Sequence, residues 1–204
     1  ATLLILAVAR RMGFYKSSMI LAGIALTTVL GAVISLLSLL DTDVLASYTY
    51  FSVGGLSGVQ LESLMLPAVI VALSIAAALL LRYKISLLCL GDDIARSLGL
   101  RVKAVRLLCL IISSASAAAA VSFAGLIGFV GLIVPHMVRR MLKNGMGFQI
   151  AGGALCGSTL VVFCDLAGRV MLKPTEVPVG IVLSLIGAPF FFYLLIRKRG
   201  QGYA

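Results

Sequence analysis

The chain has one histidine, seven acidic residues and four cysteines in 204 positions. These scarcities exclude several kinds of chemistry. No Cys-x-x-Cys and no Cys/His spacing offers a metal site, so Cys89, Cys109, Cys156 and Cys164 read as small packing residues in or beside apolar runs. No Ser/His/Asp arrangement is placed for nucleophilic catalysis, and His136, directly after Pro135, reads as a hydrogen-bonded packing residue. No G-x-x-x-x-G-K-[ST] occurs, so the chain does not bind ATP through a P-loop. No catalytic residue, metal ligand or cofactor is expected in this chain. Alternating segments of about ten residues, the mark of a transmembrane β-barrel, are also missing.

What is abundant is apolar. Hydrophobic residues make up 61% of the chain and charged ones 12%, with a mean hydropathy of +1.16. Soluble domains lie nearer half apolar and about a quarter charged. A helix needs about 20 apolar residues to cross a bilayer, and runs of that order are read at Ser18–Leu40, Leu64–Leu81, Leu107–Ala124, Phe148–Val170 and Gly180–Ile196. Ala1–Val8 reads as the second half of a further span, so the chain is expected to be a fragment of a longer membrane protein with its N-terminal spans missing. Leu126–Val134 is too short to cross alone. It is flanked by Gly125 and Pro135-His136 and reads as a half-length or re-entrant element, tolerated at membrane depth only inside protein. The connection Asp41–Ser63 holds a candidate short helix, Val44–Phe51, then Gly54-Gly55 and Gly58 as breakers.

The net charge of +10 is a topology signal and not a nucleic-acid footprint. If the spans alternate, every basic residue except Arg169 and Lys173 falls on one side, in four clusters: Arg10 to Lys16, Arg82 to Arg106, Arg139 to Lys143, and Arg197 to Arg199. The other side carries Asp41, Asp43, Glu62, Asp165 and Glu176. The positive-inside rule makes the basic side cytoplasmic.

On that side lies one polar island, Gly91-Asp92-Asp93-Ile94-Ala95-Arg96-Ser97-Leu98-Gly99-Leu100. Asp92 or Asp93 can cap a helix N-terminus, and Gly99 suits the left-handed position that ends one. Ile94, Ala95 and Leu98 form an apolar face, with Arg96 and Ser97 pointing elsewhere. Such a two-turn helix either lies on lipid or is a knob for a soluble partner. Elsewhere, the Ser113–Ala120 stretch and the pair Gly153 and Gly157 offer the small surfaces through which membrane helices pack. Asp165 and Arg169, spaced i,i+4 with the acid first, form a favourable pair. Counted from Phe148 at ~1.5 Å per residue, Asp165 lies about 26 Å along its span, at the outer rim. Arg169 there either pairs locally or meets an acidic group on an external partner.

Three blocks resemble the FecCD permease family, the membrane subunits of ATP-binding-cassette importers for iron–siderophores, haem and cobalamin. Gly91–Gly99 is similar to its G-[DE]-x-x-A-x-x-L-G element. Phe123-Ala124-Gly125-Leu126-Ile127-Gly128-Phe129-Val130-Gly131-Leu132-Ile133-Val134-Pro135-His136 follows at the right spacing. Pro174-Thr175-Glu176-Val177-Pro178-Val179-Gly180-Ile181 and Ile186-Gly187-Ala188-Pro189-Phe190-Phe191 close the match. The chain departs from the pattern at Phe51, where the family often carries tryptophan.

The resemblance implies an all-α polytopic transmembrane bundle with the cobalamin-importer-like permease fold, of which this chain is the C-terminal two-thirds. It implies a homodimer or paired permease, two ATP-binding-cassette ATPase subunits and an extracytoplasmic substrate-binding protein, in a bacterial or archaeal cytoplasmic membrane. The island becomes the coupling helix seated in the ATPase, with Asp92, Asp93, Ala95, Arg96, Leu98, Gly99 and Leu100 as its residues. Arg169 becomes a docking residue for the binding protein. Lys16 and Ser17 become part of the inner gate. The expected function is alternating-access import of an iron–siderophore or related metal chelate, with ATP hydrolysed by the partner subunit. An ion-coupled secondary transporter or channel is the alternative, but it would call for mid-span carboxylates. A membrane-embedded enzyme lacks a catalytic constellation.

Overall fold

The computed structural model describes residues 16–141, 145–171 and 176–199. The expected partial span Ala1–Val8 lies outside the described residues, as do the side chains of Lys16 and Ser17. The chain divides into two compact units, residues 1–50 and 51–204.

The first unit holds α1 (Lys16–Leu40) and most of α2 (Thr42–Val53). Helix α1 is apolar on all sides, and Ile20–Leu40 is long and apolar enough to span a membrane. Such a helix finds its solvent in lipid. Its threonine hydroxyls bond back along the helix, Thr27 to the Gly23 and Ile24 carbonyls and Thr28 to that of Ile24, so these two hydroxyls do not face hydrocarbon unpaired. Helix α2 starts at Asp41, whose carboxylate accepts the Asp43 N–H at 2.8 Å. Asp41 is therefore an N-cap.

In the second unit, α3 (Leu61–Leu80) runs to a short α4 (Arg82–Cys89), then α5 (Asp92–Ser97) and α6 (Val102–Ala124). A half-length α7 (Val130–Met141) precedes α8 (Met146–Met171) and α9 (Val179–Arg199). Among the described residues there is no strand, and α3, α6 and α8 join Ile20–Leu40 as helices long and apolar enough to span. Helix α9 is 21 residues long, with its apolar part at Val179–Phe192. Helices α3 and α6 pack along one another, and α8 packs against α7 and α9.

Two expected elements shift. Helix α6 begins at Val102 and not at Leu107, which takes Lys103 and Arg106 out of the loop and into the helix. The half-length element begins at Val130, and its helix continues through Pro135 and His136 where a stop was expected. Pro135 sits in the sixth position and costs one intrahelical bond, without ending the helix. His136 meets Phe190 of α9 edge-on at 6.2 Å between ring centroids, an aromatic packing contact where a hydrogen-bonded one was expected.

Small residues act where backbones or rings approach. Phe129 takes a left-handed φ of 64°, and its ring fills the space where Gly187 has no side chain. Gly157 faces Val134 of α7 at ordinary contact distance. Gly153, expected to pack with it, has nothing within 4 Å of its Cβ position among the described residues. The serines of α6 bond to carbonyls three or four residues back, which leaves its Ser113–Ala120 surface smooth. The core centres on Cys164, Val179, Val182 and Leu183, the last wholly buried.

Candidate functional site

One end of the second unit carries the polar island. Gly91 is the N-cap of α5, with φ 110° and ψ 157°. That conformation is essentially restricted to glycine. No side chain caps the helix, so the expected capping by Asp92 or Asp93 does not occur. Asp92 instead turns toward α6, and Arg106 Nη2 donates to both of its carboxylate oxygens at 2.6 and 2.8 Å. The Arg106 and Asp92 side chains are only 21% and 36% exposed. Asp93 faces outward and lies 3.8 Å from Arg96.

The apolar face also differs from the expected one. Ala95 is 0% exposed and faces the unit, while Ile94 and Leu98 point away at 53% and 59% exposure. Gly99 takes the left-handed position, φ 80°, as its place in the sequence suggests. Its N–H bonds to the Arg96 carbonyl at 2.9 Å, and the Leu100 N–H bonds to that of Ala95 at 3.0 Å. This is a Schellman closure. The turn is thus a short helix locked at its C-terminal end, with small groups packed inward and a mixed apolar and charged face turned outward.

The opposite end of α6 enters a crossing of backbones. The Leu126 N–H bonds to the Phe51 carbonyl and the Gly55 N–H to the Ala124 carbonyl, each at 2.9 Å. The Gly180 N–H bonds to the Gly54 carbonyl at 3.2 Å. A Cβ on Gly54 would strike the Leu126 carbonyl, and one on Gly180 that of Val53. Only glycine lets the three segments meet. Beside them a cleft of about 800 Å³ is lined by Ser52, Leu126, Gly128, Gly180, Ser184 and Pro189 among others.

Near the C-terminal end of α8, Arg169 Nε donates to Asp165 at 2.7 Å, so the expected i,i+4 pair forms. Arg169 Nη1 also lies 3.9 Å from Glu176, whose carboxylate accepts the Ser57 hydroxyl. Neither Glu176 nor Ser57 is foreseeable as a partner from local spacing, since 119 residues separate them. Arg106 is hidden from the sequence for a different reason, its place in the expected loop. Its helical spacing from the buried Val102 is the signal that could have found it. Among the described residues, no group of three or more His, Cys, Asp or Glu is placed to hold a metal.

Comparison with known proteins agrees with this architecture. The chain is 34% identical over 184 residues to the hemin transport system permease of Yersinia pestis, covering 90% of this chain and 55% of that protein. It is 36% identical over 189 residues to the iron(3+)-hydroxamate import permease of Bacillus subtilis, covering 93% and 49%. It thus spans about half the length of these curated relatives. A solved metal-chelate-type ABC transporter in an inward-facing conformation superposes with a TM-score of 0.87 at 29% identity, covering 95% of this chain and 63% of that one. The family model of the FecCD transport family matches residues 1–197, and the chain, a multi-pass helical membrane protein, belongs to that family.

Proposed function

We propose that the chain belongs to a permease subunit that imports an iron–siderophore or related metal chelate, driven by ATP hydrolysed in a partner. The observation that carries this reading is the Gly91–Leu100 turn. It packs inward through Ala95 and Asp92 and offers Ile94, Leu98 and Asp93 outward. An apolar pair ringed by charge suits a groove on a soluble protein. With the basic side cytoplasmic, that partner is an ATP-binding-cassette ATPase, two of which serve a homodimer or paired permease. Asp93, Arg96, Leu98, Gly99 and Leu100 form or shape the contact, and Lys16 and Ser17 belong to the inner gate. The chain acts as a single permease domain.

On the extracytoplasmic side, Arg169 docks a substrate-binding protein, and the chelate passes the cleft beside the glycine crossing. ATP binding draws the ATPases together and moves the coupling helices, and the spans tilt to open the path to the opposite side. No covalent step occurs in this subunit. The ion-coupled alternative is disfavoured because the described spanning helices carry carboxylates only near their ends, at Glu62 and Asp165.

The deciding experiment is uptake of labelled ferric siderophores, haem and cobalamin into proteoliposomes holding the full-length system. One chelate should accumulate only when ATP and the binding protein are both supplied. Accumulation driven by a proton or sodium gradient without ATP would overturn the reading.

Docking has its own test. Arg169→Glu reverses the charge and places it beside Asp165 and Glu176. Association with the binding protein should slow by about tenfold at low salt, with a weaker salt dependence. Unchanged association would reduce Arg169 to an intrachain clamp.

A further inference from the structure

We propose that Arg106 is a positioning residue that makes the Gly91–Leu100 turn a rigid extension of α6, so that displacement of the turn reaches the glycine crossing at the far end of that helix. This rests on the reading of the turn as the ATPase contact.

Three observations carry it. The first is the geometry of the pair. One guanidinium nitrogen reaches both oxygens of Asp92, at 2.6 and 2.8 Å, and both side chains are half-buried. Two charge-assisted bonds onto one carboxylate tie the start of α5 to α6 at a short, fixed distance. Salt screens a half-buried pair less than an exposed one. Because Arg106 lies 14 residues from Asp92, the pair closes a loop from the start of α5 onto the second turn of α6.

The second is the remaining attachment of the turn. Ala95 is wholly buried, and Val102 and Val105 of α6 are buried as well. The Schellman closure removes freedom at Gly99 and Leu100, and the Val102 N–H bonds to the Leu100 carbonyl at 2.9 Å. Apolar packing of small side chains resists compression but tolerates sliding. The directional ion pair is what opposes rotation of α5 against α6.

The third is α6 itself. Its 23 residues, Val102–Ala124, contain neither glycine nor proline. Every other described helix long and apolar enough to span contains at least one of them: Gly23 and Gly31 in α1, Pro67 in α3, and several glycines in α8. Kinks concentrate at such residues. Helix α6, about 35 Å long, therefore lacks the residues at which the other spans most readily kink. It carries the Arg106 pair near its start and ends at Ala124, where Ala124 and Leu126 are bonded to Gly55 and Phe51 and, through Gly54, the start of α9 is joined.

The test uses the full-length permease with its ATPase and binding protein in proteoliposomes, and reads ATP hydrolysed per chelate transported. Arg106→Gln should still capture the ATPase, because Arg106 is not on the outward face. Its ATP-to-substrate ratio should rise severalfold. Arg106→Lys should fall between the two. The charge-swapped protein, Asp92→Arg with Arg106→Asp, should recover most of the coupling that Arg106→Asp alone loses. A wild-type ratio in Arg106→Gln would overturn the proposal, as would a swap no better than the single reversal. Failure of the wild-type protein itself to capture an ATPase would overturn the underlying reading of the turn instead.

Discussion

Replacing Ile94 and Leu98 together with aspartate is expected to abolish capture of the ATPase while the permease still inserts and folds. Both side chains are more than half exposed on the outward side of α5, so neither supports the fold. Burying one such side chain stabilises a contact by about 1.5–3 kcal/mol. Alanine at both positions should therefore weaken capture by about 2–4 kcal/mol, roughly thirty-fold to several-hundred-fold. Aspartate adds the cost of placing two carboxylates in an apolar groove without partners, several kcal/mol more. Co-purification with the ATPase measures the loss, and elution as a single folded species shows that the permease is intact. If the helix lay on lipid, the aspartates would change membrane partition but not ATPase capture. Capture at the wild-type level would remove the turn from the interface.

The spans were legible in the sequence because a bilayer imposes a length that few soluble helices share. Their ends were less so. Arg106 and Lys103 read as loop because charge was weighed against lipid, yet a helix can carry charged residues in its first turns when they lie at the interface or find a partner. Asp92 reads as a cap by residue type alone. The backbone at Gly91 and the reach of Arg106 redirect it, and both are tertiary facts. Local spacing made the Asp165–Arg169 pair visible and left Glu176 and Ser57 invisible. Gly99 was readable because its role is local. Gly187 was not, since its partner Phe129 stands in a different block of the sequence.

The same distinction governs the other large expected effect. Gly125→Ala should destabilise the protein by about 4 kcal/mol or more, at the exceptional end for a single substitution. The residue has φ 67° and ψ −158°, a conformation that costs a side chain on the order of 1–3 kcal/mol. A Cβ there would also lie 2.6 Å from the Phe51 carbonyl oxygen and 3.2 Å from the Gly54 Cα. Both neighbours are backbone, so no side-chain rotation relieves the contact. Relief by displacement stretches the Leu126 to Phe51 and Gly55 to Ala124 bonds, and each buried backbone group left unpaired costs about 1–3 kcal/mol. In detergent the midpoint of thermal unfolding should fall by about 10 °C. Gly131→Ala is the matched control: nothing lies within 4 Å of its Cβ position, and it stands in the first turn of α7. It should leave the midpoint nearly unchanged. Equal midpoints for the two variants would mean that the crossing is loose. A loose crossing would absorb displacement arriving along α6, so the result would weigh on how motion passes through the second unit as well as on what holds it together.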